Sequence, residues 1–222
     1  MSGEQIQYEL NESLLKKIEN SKKPNKLLYY SQLKNDKKPE IKQEKKWEKI
    51  HNNNLIEWKN NYTRIFKTTI DTKMRSFQYK FIMNIVPTNA YLYKCRLANS
   101  TLCDFCSRHE ETIEHIFWKC NHIQALWNNL VNFLKEKNIT LTLSFQDICF
   151  GVKTSSINTN AINFMILVMK YYIMQMKFRK QLPIFLHYKN YLKIRIKIEQ
   201  EIAFINNKIQ QHNKKWSFLF LA

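Results

Sequence analysis

At 222 residues, with 44% hydrophobic and 14% aromatic side chains, the chain is long enough to bury the core of one domain with extensions, which excludes a wholly disordered polypeptide. Its formal charge of +18 points to a polyanionic partner, and no apolar run reaches membrane-spanning length, since Phe164 to Met169 is cut by Lys170. Only Gly3 and Gly151 occur, too few for a phosphate-cradling or dinucleotide-binding loop, and Asp36, Asp71, Asp104 and Asp147 are too scattered to pair around two catalytic metals.

Residues 1–44 are rich in Lys, Asn, Gln and Glu and broken by Pro24 and Pro39, which predicts a mobile basic arm with at most one short helix near Lys26 to Leu33. Met1 to Gln5 opens a polar segment rather than a secretory leader, so an intracellular protein of nucleus and/or cytoplasm is expected. From Lys45 to Val86 apolar residues recur at helical intervals through Trp47, Ile50, Ile65, Phe66, Met74, Phe77, Phe81, Ile82 and Ile85. Two or three helices follow, with Asp71 or Thr72 as an N-cap and Pro87 as a stop. Lys73, Arg75, Gln78 and Lys80 fall off the apolar face. They form either a solvated face or a phosphate-contacting stripe.

A turn and a short helix over 88–102 lead into Cys103, Cys106, His115 and Cys120, spaced Cys-x2-Cys-x8-His-x4-Cys. Three thiolates and one imidazole complete a tetrahedral set for Zn²⁺, which implies a closed structural site with no position for a reacting water. Five cysteines do not make an even disulfide framework, and a redox Cys-x-x-Cys leaves His115 and Cys120 unexplained. His122 competes with Cys120 for the fourth position, and His109 reads as solvated loop. Cys95 and Cys149 read as small buried apolar residues.

Thr112 is placed to cap the turn that carries His115, and Asn121 to cap an amphipathic helix through Ile123, Leu126, Trp127, Leu130, Val131 and Leu134. Phe117, Trp118 and Trp127 lie at helical spacing, as core residues do, although base stacking is the alternative. Thr140 to Phe150 reads as extended, ending at Gly151. Two long helices are then expected, Ala161 to Gln181 and Ile184 to about Gln211. The second carries a seam at Ile184, Tyr188, Tyr191, Arg195, Ile198, Ile202, Ile205 and Ile209.

Charge divides unevenly along the chain. From 103 to 150, Arg108, Lys119, Lys135 and Lys137 face Asp104, Glu110, Glu111, Glu114, Glu136 and Asp147, so the region around the ligands is acidic. From 151 to 222, by contrast, only Glu199 and Glu201 oppose the Lys and Arg residues. Polyanion contacts are therefore expected on the flanking helices, at Lys73, Arg75 and Lys80 and at Lys189, Lys193 and Lys197.

The strings Phe77-Gln78-Tyr79-Lys80, Pro87-Thr88-Asn89, Cys103-Asp104-Phe105-Cys106, Glu111 to Cys120 and Leu126-Trp127 together resemble the zinc-binding region C-terminal to the reverse transcriptase of non-LTR (LINE-type) retrotransposons. The resemblance covers about 45–150, and more loosely the tail. It implies zinc on Cys103, Cys106, His115 and Cys120, and a module that helps a polymerase hold template RNA or target DNA during target-primed reverse transcription. Asn121 stands where that family commonly has proline after the last cysteine. The reading is thus a mainly α, non-catalytic protein: a helical domain organised around a three-cysteine, one-histidine zinc knuckle over 45–150 and a basic helical tail over 151–222. Its partners would be RNA and/or DNA, with a reverse transcriptase core in cis or in trans. The competing reading is a protein-interaction module using its C-terminal helices.

Overall fold

The computed structural model describes Asn20 and residues 42–51, 56–153 and 158–220. The basic arm expected over 1–44, with its short helix at 26–33, lies outside the described residues apart from Asn20 and the start of the first helix. The described residues are helical, with one isolated pairing of Leu102 and Glu110.

Helix α1, Lys42–Ile50, buries Trp47, whose indole donates to the Ile82 carbonyl at 2.6 Å and stacks on Phe81. Helix α2, Trp58–Thr68, leads into α3, Thr72–Ile82, and the Asp71 carboxylate accepts from the amides of Lys73 and Met74. That cap satisfies two of the amides a helix start leaves free. Met74, Phe77, Phe81 and Ile82 then form the buried face of α3. Thr88 caps the short α4, Asn89–Lys94, in the same way, its hydroxyl accepting from the Tyr91 amide.

A π-helical segment, His115–Lys119, precedes α5, Asn121–Glu136, which buries Ile123, Leu126, Trp127, Leu130 and Leu134 at intervals of three and four. Trp127 donates its indole N–H to the Phe117 carbonyl, so both aromatics belong to the core. Helix α6 is Phe145–Phe150 and α7 is Thr159–Phe178. Residues 161–170 of α7 are all buried, as a helix apolar on every side must be, and α7 packs against α2, α3, α8 (Phe185–Ile205) and α9 (Ile209–Phe220). The chain from Lys46 onward is one compact unit with α7 along its middle. No described helix is long and apolar enough to cross a membrane.

Several expectations give way to the structure. The stretch 140–150 is not all extended: Ser144 and Asp147 form a reciprocal capping box, each side chain accepting from the other's backbone amide, and start α6. The predicted last helix breaks at Asn206–Lys208, where Asn207 takes a left-handed φ of 55°, and α9 is a third tail helix. The seam shifts as a result. Tyr188, Leu192 and Ile196 are buried, whereas Ile184, Ile198 and Ile205 are exposed. Asn121 is the first residue of α5, with Cys120 at the cap position. Cys149 is buried as expected, but Cys95 is exposed. Ile50, Phe66 and Ile85 are exposed despite their helical spacing.

Gln78 is buried rather than solvated. Its amide N–H donates to the Cys149 carbonyl at 2.8 Å and its oxygen accepts from Lys170 Nζ at 2.6 Å. Lys170, at 2% exposure, also lies over the Phe81 ring at 4.3 Å. Burial lowers its pKa to about 7.

Candidate metal centre

The chain between Thr101 and Glu111 doubles back on itself. Cys103 N–H donates to the His109 carbonyl at 2.8 Å and Glu111 N–H to the Thr101 carbonyl at 2.7 Å. Between these rungs Cys103 to Cys106 forms a tight turn, closed by Ser107 N–H on the Cys103 carbonyl at 2.8 Å, with Ser107 at a φ of 52°. The turn aims both thiols to one side. The second pair arrives from the helical segment: Thr112 Oγ1 accepts from the His115 amide at 3.1 Å, starting the turn as its sequence position predicts.

The π-helical hydrogen bond then matters. Cys120 N–H donates to the His115 carbonyl at 2.8 Å, an i to i+5 closure. In an α-helix residues five apart point well away from each other, whereas the wider π turn returns them to nearly the same side. A spacing of four intervening residues therefore delivers His115 and Cys120 together.

The ligand atoms of Cys103, Cys106, His115 and Cys120 all lie within 4.8 Å of one another, and Cys106 Sγ is 3.3 Å from His115 Nε2. Donors at roughly 2.0–2.3 Å from a tetrahedral zinc stand about 3.3–3.8 Å apart, so this set needs at most a small contraction to fit one. Three sulfurs and an imidazole, without a carboxylate among them, are donors that suit Zn²⁺. Electrostatics agree. A hydrogen bond with Cys120, reinforced by burial, pushes the Cys103 thiol up, while the same bond from Cys103 pulls Cys120 down. Burial, and then the neighbouring His109 and Lys119, lower the His115 pKa and keep its ring neutral for a metal. His109 Nδ1 is 3.9 Å from Cys106 Sγ and exposed, and His122 is exposed; neither belongs to the cluster.

Beneath the turn lies a network that spacing alone did not reveal. Glu111 is fully buried, and its two carboxylate oxygens accept from the amides of Asn89 at 2.8 Å and Asp104 at 2.9 Å. Lys177 of α7 reaches Asp104 at 2.5 Å, Glu111 at 2.6 Å and the Asn89 side-chain oxygen at 2.7 Å. Burial alone would raise the Asp104 pKa, but hydrogen bonds from Lys177 and Asn89 and the charge of Lys177 bring it below the usual range. Glu111 was visible in the sequence as one of the acids around the ligands and as the head of the Glu111 to Cys120 string, four residues before His115, with nothing to say that it is buried. Lys177, far along the chain, carries no local signal at all.

The predicted basic contacts lie on two helices, α3 and α8. Lys73 and Lys80 on α3 are exposed, but Arg75 is occupied, donating to the Thr69 carbonyl at 2.7 Å with its guanidinium 4.9 Å from the centre of the Phe66 ring. Lys189, Lys193 and Lys197 do come together along one groove of α8, of about 510 Å³, floored by Phe133, Ile196 and Leu219. The Lys189 ammonium stands 5.7 Å from the Phe185 ring.

Compared with known proteins, the chain matches no curated protein. Residues 42–127, from the start of α1 to Trp127 in α5, match the family described as zinc-binding in reverse transcriptase. That span holds all four clustered ligands and the helices that seat them, and over it the chain is similar to the zinc-binding region found in reverse transcriptases.

Proposed function

We propose that the protein is a zinc-stabilised, non-catalytic nucleic-acid-binding module of the LINE-type reverse transcriptase kind, holding template RNA or target DNA for a polymerase core in cis or in trans. The observation that carries this reading is the α8 groove, where Lys137, Lys189, Lys193 and Lys197 ring an apolar floor with no acidic residue in its lining. Lysines on such a rim neutralise phosphates while the floor accepts unstacked bases. Zinc on Cys103, Cys106, His115 and Cys120 serves the fold. Four protein donors fill a tetrahedron and leave none of its corners for substrate. The family's description as a zinc-binding region supports an accessory rather than a catalytic part.

Titration of labelled single-stranded RNA at several salt concentrations tests the reading. Lys189→Ala, Lys193→Ala and Lys197→Ala should each weaken binding for every sequence and lower the log–log salt slope by roughly one. Lys73→Ala and Lys80→Ala should do so on α3, and Arg75→Ala should also lose the cap on α2. Arg108→Ala and Lys119→Ala, near the ligands, should matter less. Absence of binding at low salt, or equal losses at all of these positions, would favour the reading in which the groove docks a protein. For the metal, Cys103→Ser and Cys120→Ser should lose zinc and melt the knuckle, since zinc contributes on the order of 10 kcal/mol to folding around such sites. His122→Ala should keep a full complement by atomic absorption.

A further inference from the structure

The α8 groove is more apolar than phosphate contacts alone require. Leu186 stands 57% exposed in its lining, with Ile196 and Leu219 beside it, and the row Lys189, Lys193 and Lys197 follows the same groove. No acid lines the groove, and none of these lysines is in an ion pair among the described residues. Apolar area left in water is area whose burial would be favourable, and a row of unpaired like charge repels itself. An occupant that answers both is apolar on one side and acidic on the other. Amphipathic helices lie in grooves of this kind, anchored by apolar side chains three or four residues apart.

This chain carries a segment with that chemistry. Before Lys16 stand Glu4, Glu9 and Glu12 and no Lys or Arg, in a chain whose formal charge is +18. Ile6, Leu10 and Leu14 recur at every fourth residue, the spacing that places side chains on one helical face, and Glu9 and Glu12 fall off that face. From Ile6 to Leu14 is a rise of about 12 Å in a helix, and the row from Lys189 to Lys197 has the same length. The segment itself lies outside the described residues. Residues 16–41, between it and α1, are enough chain to span on the order of 90 Å, so reach does not limit it.

We propose that residues 1–15 dock in the α8 groove as an autoinhibitory strap, with Ile6, Leu10 and Leu14 against Leu186, Ile196 and Leu219 and the glutamates toward the lysine row. Nucleic acid then enters the groove only when the segment leaves it. The docking stands on the groove and the segment alone, whereas its inhibitory consequence rests on the nucleic-acid reading of the same groove.

The test uses the full-length, zinc-loaded protein. Ile6→Ser, Leu10→Ser and Leu14→Ser together remove the apolar face without changing the charge, so a change in RNA affinity cannot come from added positive charge. Labelled single-stranded RNA should bind this triple variant roughly tenfold more tightly than wild type, the gain expected if the segment fills the groove about nine-tenths of the time. Tyr8→Ser with Leu15→Ser, off that face, should bind as wild type does. In a second arm, a synthetic peptide of residues 1–15 is titrated into the triple variant while methyl resonances are followed by NMR. Saturable shifts are expected at Leu186, Ile196 and Leu219, and none from the same peptide carrying Leu10→Ser. Wild-type RNA affinity in the triple variant overturns the inhibition. No shift of those methyls at millimolar peptide, or shifts centred on Ile70 and Ile202 instead, overturns the docking. If neither protein binds RNA at low salt, the nucleic-acid reading and the inhibition fall together, and the peptide arm still decides the docking.

Discussion

Lys170 and Lys177 lie two turns apart on α7, both nearly inaccessible to water, and their environments differ in kind. Lys177 meets two carboxylates, whereas Lys170 has a neutral amide and an aromatic face. Replacing Lys177 by Met strands Glu111 as a buried charge, a loss on the order of 3–5 kcal/mol that urea unfolding would register. Lys177→Met with Glu111→Gln should recover part of it. Lys170 should behave in the opposite way. Its pKa falls from 10.5 to about 7 on folding, so between those values the unfolded chain binds more protons and stability rises with pH. The slope approaches about 1.4 kcal/mol per pH unit between pH 8 and 10 and vanishes below 7, where the ammonium is charged in both states. Unfolding at a series of pH values should show Lys170→Met flattening that slope; an unchanged slope would assign it to another group.

At the scale of elements, Gly151 is a demanding position. It holds a φ of 82° at the end of α6, and a Cβ there would stand 2.7 Å from Asn163 Oδ1, the acceptor for the Val152 amide. Gly151→Ala should therefore cost roughly 1–3 kcal/mol in thermal or urea unfolding, through backbone strain and displacement of Asn163. The clustering of Cys103, Cys106, His115 and Cys120 and helices α3, α5 and α7 were legible in the sequence because each rests on local signals: ligand spacing for the cluster, a 3.6-residue rhythm over about three turns or more for α3 and α5, and a long, almost unbroken apolar run for α7. What escaped lacked one of these. Helix α6 spans only six residues, too few for a period to register, although its Ser-x-x-Asp box was written out. The break after α8 rests on a left-handed Asn, not on the glycine or proline that usually announces one. Gln78 looked solvated because its partner, Lys170, lies 92 residues away.

The whole molecule is larger than the region its family match covers. Phe77 packs edge-on against Tyr171 and α3 lies along α7, while the Lys177 amine anchors the turn that carries Cys103 and Cys106. A fragment ending at Trp127 would keep all four ligands and lose α7, exposing the faces of α2 and α3 that it covers. Such a fragment, 42–127, should bind zinc yet show no cooperative thermal transition, and 42–220 should show one. A sharp transition in the short fragment would make the tail an independent attachment.

Because α7 runs from the metal knuckle at Lys177 to the tail helices at Met165, where the Tyr188 hydroxyl donates to its backbone, and at Phe164, where Trp216 packs edge-on, it is shared by both ends of the molecule. Free-energy linkage between sites is reciprocal. Any ligand of α8 or α9 that prefers the seated position of α7 must tighten the hold on zinc by the same factor by which zinc tightens the hold on that ligand. Resistance of a metal held in the knuckle to a chelator would then gauge, from a distance and without a label, any ligand added to the tail.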